Sequence, residues 1–335
     1  MCAWLSLPRV GNELPSVTII VPTKPGQALI KSVEAARRLD YPREKLEVIV
    51  ARGRQPSTQR NRALYEASGE ILYFLDDDAQ PEPDVLRRAA EHFRDAKVQM
   101  VGGPNLCPPE APFLEQVFAV VLSSWIAFGP SRARYARVGQ TRATNEKELI
   151  LCHLLARRAP VLALCGFDES LYPNEENALM DELQKCGGKL IYDPDLVVFR
   201  RPRPTLKTFC KMLMTYGRGR AEQFRLHPSL GSALNFVPPL FLVFLLMFIV
   251  AELLRAPSPW LSFGSWLLSA YLVALVVQTL ASATRHGFLR SALALPLLCG
   301  THLFYGLGFW RGLFTRVKHS DRAAMEVTLD RMVLD

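Results

Sequence analysis

The sequence predicts an α/β domain with a mostly parallel sheet covered on both faces, followed by an α-helical membrane region. Short β-rich runs alternate with segments of helical period along the first part of the chain, the order that builds βαβ units. The runs are nearly continuous in apolar residues, as strands buried on both faces are. From residue 235 to about 313 the mixed pattern gives way to three long apolar stretches. With 49% hydrophobic and 21% charged residues over 335 positions, the chain can bury a sizeable core, which excludes disordered and fibrous classes.

The first strand is Val17-Thr18-Ile19-Ile20-Val21, ended by Pro22, and a helical segment follows from Ala28 to Leu39. Leu46 to Val50 is the second strand, Ser57 to Ala67 the second helix, and Ile71 to Leu75 the third strand. Pro83 to Phe93 reads as a helix and Val98 to Gly102 as a strand, followed by a proline-rich stretch from Pro104 to Pro112. Residues 131–148, rich in Arg, read as a mobile loop near the site, and Asn174 to Cys186 as a helix. No internal repeat is present. Pro204 to Leu226 sets Leu206, Phe209, Leu213 and Tyr216 among Lys207, Lys211, Arg218 and Arg220, the pattern of an amphipathic helix at a membrane surface.

Roughly 20 apolar residues cross a bilayer core of about 30 Å. Asn235 to Leu254 meets that length, and Trp260 to Ala281 meets it without a single charge. Leu289 to Leu313 is interrupted by Arg290, Pro296, Gly300 and His302, so that one span and a re-entrant hairpin are both allowed. The basic residues crowded between Arg200 and Arg225 suit an anionic inner leaflet and put that side in the cytoplasm. A basic patch abutting a span argues against nucleic acid as the partner. Arg285, His286 and Arg290 belong on the same side, and so do Arg311, Arg316 and Lys318, which three full crossings would place outside. Residues 1–14 lack a basic start followed by an apolar stretch, so no signal peptide is expected. The implied location is the inner (cytoplasmic) membrane, multi-pass, with the first domain on the cytoplasmic side. Seven cysteines without metal-ligand spacing read as free thiols.

Asp76-Asp77-Asp78 begins where the third strand stops, and open α/β sheets bind ligands at the carboxyl ends of their strands. Adjacent carboxylates repel unless a cation neutralises them. Hard oxygen ligands select Mg2+ or Mn2+, which keep open positions for substrate phosphates, while a solvated acidic turn leading into Pro81-Glu82-Pro83-Asp84 is the alternative.

In order and spacing, Val17-Thr18-Ile19-Ile20-Val21-Pro22-Thr23, Gln59-Arg60-Asn61-Arg62-Ala63, Ala67-Ser68-Gly69-Glu70, Phe74-Leu75-Asp76-Asp77-Asp78, Cys165-Gly166-Phe167-Asp168-Glu169 and Asn174-Glu175-Glu176 together resemble the family 2 glycosyltransferases of GT-A fold. Tyr216-Gly217-Arg218-Gly219-Arg220, standing where processive members carry Gln-x-x-Arg-Trp, is similar to the ExoA-type membrane-anchored branch of exopolysaccharide synthesis. The resemblance implies a GT-A domain and a nucleotide-sugar pocket built by Pro22, Thr23, Arg60, Asn61, Asp76 and Asp77. It implies metal ligation by Asp78 with Asp76, and a base in the pair Glu175-Glu176, with Glu176 favoured and Glu175 kept open. Asp168-Glu169 is a rival pair that a turn explains equally well. Arg218 or Arg220 would meet a diphosphate or a lipid phosphate. One departure is that Ala51-Arg52-Gly53-Arg54-Gln55-Pro56-Ser57 lacks the acidic pair that in the family meets the nucleotide base.

The expected organisation is a catalytic domain at 1–203, an interfacial helix and linker at 204–232, transmembrane helices at 233–315 and a cytoplasmic tail at 316–335. The expected function is an inverting transfer of sugar from a nucleotide-diphosphate donor to a lipid-linked saccharide or polyprenyl-phosphate acceptor, in cell-surface polysaccharide or glycolipid synthesis. A polyprenyl phosphate is already anionic and needs no strong base. The alternative is a catalytically silent transferase-like subunit that binds nucleotide or scaffolds a polysaccharide assembly complex.

Overall fold

The computed structural model describes residues 13–171, 174–226, 228, 230–255, 258–315, 326–332 and 334. The chain divides into two compact units. The first comprises Met1–Pro108, Pro130–Arg201 and Lys318–Asp335, and the second Pro109–Gly129 and Pro202–Val317.

The elements, in chain order, open with β1 (Val17–Thr23), α1 (Lys31–Ala36), β2 (Leu46–Arg52), α2 (Pro56–Glu66), β3 (Ile71–Leu75), β4 (Gln80–Pro81), α3 (Val85–His92), β5 (Val98–Gly102) and β6 (Asn105–Leu106). After α4 (Phe113–Leu122) and α5 (Trp125–Phe128), which belong to the second unit, the first unit resumes with β7 (Arg142–Thr144), β8 (His153–Arg157), α6 (Arg158–Ala163), α7 (Glu175–Lys185), β9 (Lys189–Tyr192) and β10 (Val198–Phe199). Then come α8 (Leu206–Leu226), α9 (Val237–Leu253), α10 (Ser258–His286), α11 (Phe288–Phe314) and finally β11 (Thr328–Met332).

The first unit is built on an eight-stranded mixed sheet of order β11-β2-β1-β3-β8-β5-β9-β7. Strands β2, β1 and β3 are parallel neighbours, as are β5 and β9. Strands β8, β7 and β11 run antiparallel to theirs. The period-2 alternation of each strand explains the two cores. Ile19, Val21, Val48, Val50, Tyr73 and Leu75 meet Val33, Ala36, Leu86 and Ala89 of α1 and α3. Ile20, Ile49, Leu72 and Phe74 meet Ala63, Leu64, Leu179 and Met180 of α2 and α7 on the other face. A three-stranded sheet, β4-β10-β6, sits just past the Asp triplet.

Differences from the sequence reading are local. Helix α1 starts at Lys31, not Ala28, because the chain first turns at Gly26 (φ 77°) and no side chain caps the helix. The stretch expected as a mobile loop, 131–148, contains β7, and the Arg142–Glu148 ion pair at 2.6 Å ties it down. Within the expected tail, Thr328–Met332 is a strand that pairs antiparallel with the edge of β2, from Thr328 opposite Arg52 to Met332 opposite Val48. Covering the unpaired edge of β2 satisfies its backbone groups. Cys186 is disulfide-bonded and so is not the free thiol expected, since sequence spacing is blind to pairing across the fold. The other described cysteines form no disulfide, and Cys2 lies outside the described residues.

Among the described residues three helices are long and apolar enough to cross a membrane, Ala233–Leu253, Pro259–His286 and Phe288–Phe314, all in the second unit. Helix α8 packs on α11 with backbones in contact. A side chain at Gly308 would run into the Met214 carbonyl and one at Gly217 into that of Tyr305, the small-residue packing typical of membrane helices.

Candidate functional site

The site forms where β1, β2 and β3 end. Asp76 follows directly on β3 and Thr23 closes β1. The Thr23 hydroxyl donates to Asp77 Oδ2 at 3.2 Å, and the Asp77 carbonyl accepts the Ser32 amide at 3.2 Å. Asp77 is therefore fixed to the end of β1 and the start of α1. Burial, followed by the charges of Asp78 and Asp76, raises its carboxyl above the usual range.

Two arginines hold the other aspartates. Arg60, buried on α2, donates through Nη2 to Asp76 Oδ1 at 3.0 Å and through Nη1 to Glu175 Oε1 at 3.1 Å. Arg200, one residue beyond β10, reaches Asp76 Oδ2 at 3.0 Å and Asp78 Oδ1 at 2.6 Å. Because β10 pairs with β4 immediately after the triplet, the small sheet delivers this guanidinium to the carboxylates. Burial disfavours its charge, but Asp76, Cys152 and Asp78 outweigh that and keep Arg200 firmly protonated. The sequence reading saw Arg200 only as a member of the basic cluster before the spans.

Arg60 thus joins the strand-end carboxylates to the acidic pair that opens α7. Asn174 precedes that helix in a left-handed conformation (φ 98°) and makes no capping hydrogen bond, the kind of strain that collects at functional sites. Glu175 is buried. Desolvation pushes its carboxyl up, Glu176 pushes in the same direction, and Arg60 pulls against both. Glu176 is 9% exposed and takes no hydrogen bond or ion pair from any described residue.

Other sequence candidates have contacts of their own within the fold. The Asn61 amide donates to Phe167 O at 2.8 Å and Glu169 Oε1 at 2.9 Å, and its Oδ1 accepts the Phe167 amide at 2.8 Å. It clamps the turn at Gly166 (φ 78°), where a side chain would strike Asn61. Glu169 also accepts from the Thr58 hydroxyl at 2.7 Å, and Asp168 accepts from Ser170, so this rival acidic pair is absorbed by the turn. Pro22 is the penultimate residue of β1, opposite Ala51. His153 is fully buried and pushed down to about 4 by desolvation. Arg218 and Arg220 lie on α8 in the second unit, where Arg218 meets Glu222 at 3.4 Å and Arg220 donates to Gln223 at 3.1 Å. At the end of β2, where the family's acidic pair is missing, Arg52 donates to Asp330 of β11 at 2.5 Å and to the Gln27 carbonyl at 2.8 Å. That carboxylate arrives from 278 residues away.

Among the described residues no cluster of three or more His, Cys, Asp or Glu side chains is arranged to hold a metal. Asp76 and Asp78 still fit a divalent cation by donor chemistry, since Mg2+ and Mn2+ in phosphate-transfer sites use one or two carboxylates together with substrate phosphates. The Asp78 side chain is 46% exposed, and a cation there would share it with Arg200.

A mixed sheet ending in an acidic triplet, with a buried arginine linking it to an acidic helix start, defines a GT-A-type domain. Residues 28–145 match the family model Glycosyl transferase family 2. Over 185 residues the chain is 24% identical to the pre-mycofactocin glycosyltransferase of Mycobacterium tuberculosis, in both strain CDC 1551 / Oshkosh and strain ATCC 25618 / H37Rv. The match covers 52% of this chain and 36% of that protein, so the chain spans about a third of the length of the curated relatives it matches. The solved mannosyltransferase PcManGT from Pyrobaculum calidifontis, in complex with GDP-Man and Mn2+, superposes with a TM-score of 0.54 at 19% identity. That superposition covers 93% of this chain and 92% of PcManGT, a likeness of fold.

Proposed function

We propose that the protein is an inverting, metal-dependent glycosyltransferase that moves a sugar from a nucleotide-diphosphate donor to a lipid-linked saccharide or polyprenyl-phosphate acceptor. The observation that carries the reading is Arg60, which ties Asp76 to Glu175 and so sets a donor-side carboxylate and an acceptor-side carboxylate pair in one rigid frame. Positioning of this kind and fixed charge supply most of the catalysis expected of such a site.

Asp78 and Asp76 are the residues that would hold Mg2+ or Mn2+, which when bound neutralises the diphosphate as it leaves. Thr23 fixes Asp77 beside them, leaving the outer two aspartates for the donor. Arg200 adds a permanent positive charge at the same carboxylates. Glu175 is occupied by Arg60, so Glu176, free of described partners, is the base that takes the acceptor hydroxyl's proton. With a polyprenyl phosphate as acceptor, Glu176 positions the attacking oxygen instead. A lipid-linked acceptor is supported by the helices on the same chain that are long and apolar enough to cross a membrane. Activity in surface-polysaccharide or glycolipid synthesis and membership of the ExoA-type branch belong to the same proposal, as does a cytoplasmic-face catalytic domain in an inner membrane.

A second reading, a silent subunit that binds nucleotide or scaffolds a polysaccharide assembly complex, is favoured by Arg200 lying on both Asp76 and Asp78 and by arginine ending β2. Incubation of the purified protein with a panel of sugar nucleotides, Mn2+ and lipid acceptors separates the two. Release of nucleoside diphosphate with sugar appearing on the lipid supports the transferase. Binding of a nucleotide with no release from any of the panel would select the silent subunit.

A further inference from the structure

We infer that α11, although long and apolar enough to span, does not carry the chain across the membrane. It enters and leaves the bilayer on the side of the first unit, leaving α9 and α10 as the two crossings, and α11 lies with α8 against that leaflet's headgroup surface. The inference rests on topology and is independent of the proposed activity.

The first unit is one folded body assembled from segments on both sides of the membrane helices. The chain leaves it after Arg201 and returns to supply β11, which is hydrogen-bonded along the edge of β2. A folded sheet cannot be divided by a bilayer, so the number of crossings between Arg201 and β11 is even. Three qualifying helices would make it odd. The short helices α4 and α5 leave the parity unchanged, because the chain departs after Pro108 and is back in the first unit at Pro130. Re-crossing after α11 is excluded by helix length and by charge. Thr315 and Glu326 are eleven residues apart, about 16 Å as a helix, which is far short of the roughly 30 Å bilayer core. The stretch also carries Arg316, Lys318, Asp321 and Arg322, which are costly in lipid. An extended backbone in lipid also leaves its polar groups unpaired.

Contacts within the second unit identify the helix that stays behind. The Arg290 guanidinium, at the start of α11, lies 5.9 Å from the Phe113 ring centre, and Phe113 is five residues past Pro108. At the other end, Arg225 of α8 donates to the Gly312 carbonyl at 3.1 Å and to that of Thr315 at 2.5 Å. Helix α8 cannot cross, since it carries Lys207, Lys211, Arg218, Arg220, Glu222 and Arg225. Both ends of α11 are therefore held by elements that remain on the first unit's side. Of the three apolar helices it is also the one most buried within the protein. With α9 outward and α10 returning, Arg285, Arg290 and Arg311 all fall on one side and Arg255 stands alone on the other. That distribution obeys the positive-inside bias. The phosphates of the leaflet facing the first unit are the surface that these arginines and the basic face of α8 would meet.

The test is labelling of single added cysteines in sealed vesicles of known orientation, using a membrane-impermeant maleimide read by peptide mass spectrometry. The native exposed Cys165 of the first unit serves as the marker for its side. Arg255→Cys is expected to label only from the face opposite to Cys165. Arg285→Cys and Phe314→Cys are expected to label only from the face of Cys165. Labelling of Phe314→Cys from the opposite face would overturn the inference. So would labelling of Arg255→Cys together with Cys165, which would make α9 the helix that stays behind. Limited proteolysis of the unaltered chain in the same vesicles gives an independent reading. Cleavage after Arg316 or Lys318 should come from the Cys165 face, and cleavage from the other face alone contradicts it.

Discussion

Replacing Arg60 by methionine removes the one cation shared by Asp76 and Glu175 while keeping an apolar stem of similar length. Removing one partner from a buried ion pair typically costs about 3–5 kcal/mol. Here the lower end applies, because Asp76 keeps Arg200 at 3.0 Å and Glu175 can protonate. About 3 kcal/mol corresponds to a fall in Tm of roughly 6–12 °C for a domain of this size. The pH dependence carries the sharper signature. Burial and Glu176 already hold the Glu175 carboxyl above its unfolded value of 4.5, and without Arg60 it rises further. A raised folded-state value means that the native protein keeps a proton the unfolded chain has released. Its contribution is therefore full below pH 4.5 and is lost as pH rises through the folded value. The variant should consequently fall further behind the wild type at pH 8 than at pH 5. Fluorescence melts of the detergent-solubilised proteins across that range test it. A variant that melts within a degree or two of wild type at pH 8, with parallel pH curves, would refute the idea that Arg60 is the electrostatic link of the site.

Asn61→Ala should lower stability by about 2–3 kcal/mol through the bonds lost to Phe167 and Glu169, while leaving donor affinity within twofold in a titration. A tenfold loss of affinity with little change in melting would show instead that Asn61 touches the nucleotide. Gly308→Val drives a side chain into the Met214 carbonyl and should cost at least about 1–3 kcal/mol. It should be seen as earlier melting in detergent with sugar-nucleotide binding retained, and an unchanged melt would contradict the close approach of α8 and α11.

What the sequence made legible was local. The first three strands announce themselves by apolar runs, and the position of Asp76 at a strand end follows from counting residues. The roles of single side chains were less accessible. Arg200 looked like one of eight basic residues ahead of the spans, because nothing in its neighbours reveals that β10 pairs with β4. Asp330 reaches Arg52 across the whole membrane region, a distance over which sequence pattern carries no signal. Asn61 sat inside a motif of the right spacing, and nothing in that motif reveals that its amide bonds to the turn at Phe167. The Tyr216-Gly217-Arg218-Gly219-Arg220 motif was read through its arginines, whereas at Gly217 the backbone contact with α11 is a sufficient reason for glycine.

The proposed transfer reaction sets Asp78 on the donor side and Glu176 on the acceptor side of one site. Its most direct test is the rate of Mn2+-dependent nucleoside-diphosphate release by wild type, Asp78→Asn and Glu176→Gln, with donor binding measured in parallel. Loss of a general base is worth about 10²–10⁴ in rate. Glu176→Gln is therefore predicted to fall at least about a hundredfold on a hydroxyl acceptor with donor affinity unchanged, and Asp78→Asn to lose both release and the effect of Mn2+ on donor binding. Release by Glu176→Gln within threefold of wild type, or a full Mn2+ response in Asp78→Asn, would contradict it.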